Sequence, residues 1–484
     1  AVTITDNPGG NPSLSPDVIG KEIIDQGMDV LVHFTCRDLN RGGIESRALQ
    51  LARMGMRNIL ALTGDYSGKG FGGQGMPVFD IDSTSLICFL KMFEERTRRE
   101  EGPTERFFPG CAVSPFKLTE AETFAQYFKL CKKAAAGASF IITQVGYDAR
   151  KFEELIRIQK DFGTVLPTLG SVYVLRPPAA RIMNRGKIPG AVVTNELLNS
   201  VITEWQNKEK GEEAAIERAA RLAAVLKGLG YRGIHVGGVH KSFTTLGRIL
   251  DRLKEIEDRW REFIPEFNFP MKNGYYIYEK KFQRELLGSK ARPVQSRAGY
   301  LEKMHYHFMR KVHDLFFNFK SPLEPVIRKF CSAVDGTDFG HLLMRITEDP
   351  AKKVLLSCIK CGDCGIQHLA FLCPETQCPK HIRNGQCGGS SHGRCEVYPE
   401  RPCVWVRVYN RLALQGKTSD LGGGFVPPRM WELNKTSSWL NFHLGRDHQT
   451  ASCHIARNCT REKCCPRKDE LSKKSYEINS DLKK

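Results

Sequence analysis

Eight cysteines fall between Cys358 and Cys403 in the spacing C-x2-C-x2-C-x8-C-x4-C-x8-C-x7-C-x7-C. Thiols this dense form either disulfides or metal thiolates. Disulfide frameworks belong mainly to short secreted chains. This chain has 484 residues, shows no recognisable signal peptide and reads as a cytoplasmic α/β enzyme, so metal thiolates are expected. A zinc site usually takes paired knuckles separated by a longer loop, four ligands per ion. A third cysteine two residues on, as in Cys358, Cys361 and Cys364, is instead a ferredoxin-like pattern, since one tight turn reaches several corners of a cubane. Cys373-Pro374 and Cys378-Pro379 match the Cys-Pro that ends such runs. With Cys387, Cys395 and Cys403, the eight thiolates are the count for two [4Fe–4S] clusters, with zinc at some or all of them as the alternative. How the eight divide between clusters stays open, because in two-cluster ferredoxins the Cys-Pro cysteine serves the other cluster. Cys453, Cys459, Cys464 and Cys465, in the Lys-rich end, read as a frayed tail more than as a further metal site.

The elements that must position this chemistry lie upstream. Apolar strands alternate with amphipathic helices at Val2 to Ile4, Asp29 to Phe34, Asn58 to Leu62, Phe107 to Val113, Ser139 to Gln144, Thr164 to Leu169 and Gly233 to Val236. Helices are expected over Ile44 to Met54 and Thr119 to Ala136, the latter with Ala121, Phe124, Ala125, Phe128 and Cys131 on one face. Repeated strand–helix units imply a parallel sheet. Seven strands without a Gly-x-Gly-x-x-Gly turn favour a (β/α)8 TIM-type barrel over a Rossmann sheet, the eighth strand being a missing first one. Barrel active sites lie at the C-terminal ends of the strands. The residues there are polar: Thr5 and Asp6; His33, Thr35 and Cys36; Thr63, Gly64 and Asp65; Gln144. Gly68, Gly70, Gly72, Gly73 and Gly75 then make a loop able to lie against a ligand. Each polar residue alone reads as a barrel-end cap; their convergence favours function.

The expected organisation is a barrel over 1–245, a helical basic connector over 246–345, an iron–sulfur domain over 346–450 and a Cys/Lys-rich tail over 451–484. His305, His307 and His313 in the connector read as surface or capping residues. The formal charge of +18 would suit anionic ligands and an acidic electron carrier. No RNA-binding motif accompanies it, so nucleic acid is not expected. No apolar run reaches the roughly 18 residues of a membrane span.

"VHFTCRD" at 32–38, "ALTGD" at 61–65 and "AAGASFIITQ" at 135–144 together resemble the methylenetetrahydrofolate reductase family. "CIKCGDC", "CPETQCPK", "NGQCGGSSHGRCEVYP" and "VPPRMWELNKTSSWLNFHLGRDH" resemble the C-terminal domain attached to many members, and the partner subunit of the acetogen-type enzyme. The resemblance implies a flavin (FAD or FMN) at the strand ends. It also implies hydride transfer to 5,10-methylene-tetrahydrofolate or a related pterin, and electrons arriving through iron–sulfur centres. Carried over residue by residue, Asp65 lies beside flavin and pterin, and Gln144 contacts the folate. Thr5, Asp6, His33, Thr63 and Gly64 line the flavin, Lys133 and more weakly Lys132 approach its phosphate, and Lys241 stands where an arginine can hold the folate glutamate. The implied partners are ferredoxin or a partner redox subunit, and a homo-oligomer is expected. The family's general acid, a glutamate on the first barrel strand, has no counterpart here, and truncation is the expected reason. The alternatives are a non-catalytic electron-transfer scaffold and a zinc-stabilised folate-binding protein.

Overall fold

A computed structural model describes residues 1–99, 106–239, 243–278 and 296–449. Seven parallel strands form one curled sheet in sequence order: β1 (Val2–Ile4), β2 (Val30–Thr35), β3 (Asn58–Leu62), β4 (Phe108–Val113), β5 (Phe140–Thr143), β6 (Thr168–Tyr173) and β7 (Gly233–Gly237). Among the described residues β1 and β7 each have one strand neighbour. Alternation along the strands sorts side chains to the two faces. Val30, Val32 and Phe34 of β2 enter a large core under the helices, whereas Leu31 joins Leu60, Phe140 and Ile142 in a small cluster on the concave face.

Helices α1 (Pro16–Asp25), α2 (Arg41–Arg53), α3 (Ser83–Arg99), α4 (Glu120–Ala135) and α5 (Ala149–Asp161) return between the strands. Helix α4 starts with a capping box, Thr119 accepting from the Glu122 amide and Glu122 from the Thr119 amide, both at 3.3 Å. The strand expected at Thr164 to Leu169 starts later, at Thr168. Pro167 has no N–H for a ladder, and Val165 is exposed. The glycine-rich stretch folds back as a short hairpin, Lys69–Gly70 against Gly73–Gln74.

The expected connector is not one unit. Its first part, α6 (Thr244–Ile256) and the turns to Phe267, packs on the barrel: Ile249, Ile256, Phe263 and Phe267 share a core with Val172, Val174 and the long helix Lys208–Gly228. Its second part, α7 (Tyr300–Phe316), α8 (Glu324–Val334) and α9 (Asp338–Leu356), belongs to the cysteine-rich region. There Tyr306 and Met309 join Trp405, Val408 and Tyr409 of α10 (Val404–Ala413) in a core that also takes Ala121 and Phe128 of α4. Phe124 of α4 stacks on Tyr409 with centroids 5.8 Å apart, and the Tyr409 hydroxyl donates to Glu120 at 2.8 Å. One barrel helix therefore seats the thiol domain.

Candidate functional site

Parallel strands bring Thr5 and Asp6, His33, the Thr63–Asp65 turn and Gln144 to one side of the sheet. Thr5 is exposed. Asp6 is buried and accepts from the Thr35 amide at 3.2 Å and the Thr35 hydroxyl at 2.9 Å, with Arg47 3.8 Å from its other oxygen. It ties β1 to β2. Thr63 pairs with Ser83 at the start of α3. Gly64 has φ +94°, and a Cβ there would meet Thr35 and Arg37 side chains at 3.2 and 3.3 Å, so the turn requires glycine. Asp65 accepts from the Gly9 amide at 3.0 Å. Gln144 donates to the Pro189 carbonyl at 2.8 Å and accepts from the Val145 amide at 2.9 Å. Beside it lies a cavity of about 700 Å³, lined by barrel loops and by Gly389 to His392 of the thiol domain.

His33 Nε2 is buried and without a hydrogen-bond partner. Burial, then the neighbouring His235, lowers the His33 pKa to about 4, and burial also lowers His235. Both rings are thus neutral at pH 7, hydrogen-bonding groups and not cations. Lys133 is buried and donates to the Ala112 carbonyl at 2.7 Å; burial lowers its pKa to about 8. Lys132 is buried beside it. Lys241, Cys453, Cys459, Cys464 and Cys465 lie outside the described residues.

The cysteines sort into two sets that the spacing did not reveal. Cys358, Cys361 and Cys364 all act on the buried amine of Lys352, and Cys361 also senses Cys364 and Cys373. Burial, then Cys364, raises Cys361 to about 12. Asp363, between two of these thiols, accepts from Arg383 at 2.9 Å and from His448 Nδ1 at 2.5 Å, and His448 Nε2 lies 3.0 Å from His368 Nε2. Burial opposes ionisation of Asp363, but His448 and Arg383 outweigh it and hold the carboxyl well below its usual range.

Cys378, Cys387, Cys395 and Cys403 line one hollow. Burial would raise Cys387, but Lys380, the Gly389 amide, Lys117 and Lys129 bring it below the ordinary thiol value. Barrel side chains grip this segment: Lys117 donates to the carbonyls of Gly388 at 2.5 Å and Ser390 at 2.7 Å, Lys129 to Gly385 at 3.1 Å, and Gln126 to Cys387 at 2.9 Å. In the reverse direction, Lys380 donates to the Gly64 carbonyl at 2.7 Å. The thirteen described cysteines are free thiols. No described group of three or more cysteine, histidine or carboxylate side chains is arranged to hold a metal ion as it stands. What fits a metal here is the donor set, four thiols on one hollow with three lysines to offset thiolate charge.

Sequence reasoning overlooked Lys380, Lys117 and His235. It also passed over Arg37, although the quoted motif contains it. Arg37 is buried, grips both Asp38 oxygens, and reaches the carbonyls of Asn7 and Asp65 at 3.3 and 3.4 Å. The available signal was an arginine placed just after the apolar run of β2, where a strand meets the site-facing loops.

A curled parallel sheet with its polar strand ends on one side, capped by a thiol-rich domain, defines an α/β barrel-type protein with an appended cysteine-rich domain. The chain belongs to the methylenetetrahydrofolate reductase family, a family of oxidoreductases. Residues 1–254 match the family described as methylenetetrahydrofolate reductase, and residues 341–432 match the one described as methylene-tetrahydrofolate reductase C terminal. The chain is 31% identical over 147 residues to a probable methylenetetrahydrofolate reductase (NADPH) of Caenorhabditis elegans, covering 30% of this chain and 20% of that protein. It is 22% identical over 276 residues to methylenetetrahydrofolate reductase 1 of Schizosaccharomyces pombe, covering 56% of this chain and 44% of that protein. It thus spans less than half the length of either relative. A Clostridium thermocellum protein, solved with two copies of 5-methyl-5,6,7,8-tetrahydrofolic acid, aligns over 53% of this chain and 94% of its own at 10% identity and TM-score 0.30. No described helix is long and apolar enough to cross a membrane.

Proposed function

We propose that this chain reduces 5,10-methylene-tetrahydrofolate, or a related pterin, to the 5-methyl form at the C-terminal ends of its strands. The observation that carries the reading is the meeting of Asp65, His33 and Gln144 at those ends, in a chain of this family. His33 Nε2 is buried without a hydrogen-bond partner among the described residues, which suits a flavin held by Thr5, Asp6, His33, Thr63 and Gly64. A flavin bound there would supply the hydride.

The chain's own groups orient and polarise the substrate, while the proton that opens its five-membered ring must come from a general acid outside this set. Asp65, oriented by the Gly9 amide, places negative charge where the substrate becomes a cationic iminium. Gln144 exchanges its Pro189 contact for the donor and acceptor edge of the pterin. Neutral His33 and His235 hydrogen-bond without adding positive charge beside that cation. Lys132 and Lys133 follow one another on α4 but face different neighbours, Lys133 the Ala112 carbonyl and Lys132 His368 of the thiol domain, so at most one of them would meet a flavin phosphate. The eight thiols from Cys358 to Cys403 would hold two [4Fe–4S] clusters that feed single electrons to the site from an acidic carrier such as ferredoxin or from a partner redox subunit.

Zinc is the second reading for this set, because Cys378, Cys387, Cys395 and Cys403 are four thiols on one hollow, the count for a single tetrahedral ion. Anaerobically purified protein settles both points. The proposal expects a bound flavin, iron, and oxidation of 5-methyl-tetrahydrofolate with an artificial acceptor. Flavin-free protein inert toward that folate overturns it in favour of a non-catalytic scaffold.

A further inference from the structure

The turn that carries Asp65 and the second cysteine set meet at one amine. Lys380 follows Cys378 by two residues, is 3% exposed on its side chain, and donates to the Gly64 carbonyl at 2.7 Å. It also pairs with Glu396, the residue after Cys395, and lies 5.7 Å from the centroid of the Phe79 ring. Both ends of this link are tightly set. A Cβ on Gly389 would overlap the Glu396 carboxylate, so that carboxylate lies flush against the Gly389 backbone. On the barrel side, the Gly64 backbone is confined by Thr35 and Arg37, and the next residue's carbonyl is contacted by Arg37. The Lys117, Lys129 and Gln126 bonds run from the barrel to the backbone of the thiol segment and hold that segment in place. Lys380 runs the opposite way, from between two thiols to the turn beside the reacting groups.

We propose that Lys380 is a positioning residue: its bond to Gly64 sets the turn that carries Asp65, and it places that setting under the influence of the second cysteine set. The inference rests on the functional reading above. A half-buried carbonyl that loses its donor makes the turn relax toward other partners, water included. A shift of about 1 Å in a group beside reacting atoms costs up to roughly 10²-fold in rate.

The test uses the full chain, purified without air, as Lys380→Met, Lys380→Arg, Glu396→Gln and Cys387→Ser. Two readings are taken: backbone hydrogen exchange over residues 63–68, and oxidation of 5-methyl-tetrahydrofolate with an artificial acceptor that does not need the thiol domain. In Lys380→Met, exchange at that turn should rise about tenfold or more while α5 stays protected. The kcat should fall on the order of tenfold with KM within about twofold, the split expected when a transition-state contact is misplaced. Lys380→Arg, which keeps a donor, should recover most of both. Glu396→Gln leaves the amine in place but loosens it, and should show the same signature at smaller scale; it decides the matter if Lys380→Met does not fold. Cys387→Ser should also raise exchange at the turn. Wild-type exchange in Lys380→Met, or in Glu396→Gln where that variant decides, overturns the positioning role, and wild-type exchange in Cys387→Ser overturns its link to the thiols. Wild-type protein inert toward the folate refutes the functional reading instead, and the exchange data still decide for or against the link.

Discussion

The backbone amide of Asn384 donates to the carboxylate of Asp82 at 3.0 Å, across 302 residues of sequence. The other oxygen of Asp82 accepts from the amides of Thr84 and Ser85, each at 3.0 Å, and so caps α3. A single buried carboxylate thereby starts a barrel helix and fastens the loop between Cys378 and Cys387. Asp82→Ala should remove the cap, about 1 kcal/mol, and strand the buried Asn384 amide, a further 1–3 kcal/mol or so. Burial raises the Asp82 pKa, but Lys129 and the donated amides outweigh it and leave it lowered. Its contribution is therefore present above the unfolded carboxyl value near 3.9 and lost as pH falls through the lower folded value. Denaturant unfolding of Asp82→Ala with wild-type stability would refute this account.

His33 carries the opposite kind of pH dependence to a paired histidine. Its folded pKa of about 4 is below its unfolded value, so the unfolded chain binds the proton more readily. Stability from keeping it neutral is complete above pH 6.5 and is lost as pH falls toward 4, by up to about 3 kcal/mol for a shift of this size. His33→Gln should flatten the stability profile between these pH values. An unchanged slope would assign the loss to other groups.

Asp65→Asn keeps the shape of the side chain and removes its charge. Folate reduction should slow by on the order of 10²-fold or more, the scale of one preorganised electrostatic contact, with flavin content little changed. Full activity in this variant would remove Asp65 from the mechanism.

The division of the thiols makes a prediction that spacing alone did not. Cys361→Ser and Cys387→Ser disable different sets, so each should remove roughly half of the about eight irons expected for two cubanes. The double variant should remove nearly all. Zinc in place of iron, in protein never exposed to air, would reject the clusters. Single variants that each lose all the iron would reject the division into independent sets.

Much of the fold is legible in short stretches of sequence. The alternation in "VLVHFT" commits β2 to a strand with Val30, Val32 and Phe34 on one face, and Thr119 with Glu122 commits α4 to its first turn. The motifs around His33, Asp65 and Gln144 place polar residues just where parallel strands end, so that one side of the sheet collects them whatever the details of packing. The eight-thiol run likewise marks residues 358–403 as a metal-thiolate candidate through residue type and spacing. These are local signals, set by backbone periodicity and side-chain chemistry within a few residues.

What tertiary structure decided depends on the path of the chain between distant points. Which cysteines face one another follows from turns such as those on either side of Cys373, and no spacing rule ranks the possible pairings. His235 meets His33 only because the curl of the sheet brings β7 round toward β2. Lys380 looks like one more surface lysine in a basic sequence until packing of α10 on α4 carries it against the barrel, where the Gly64 carbonyl and the Glu396 carboxylate make burial of its charge tolerable. The contact with Gly64 exists only once the elements have docked, because it joins residues 316 apart in sequence.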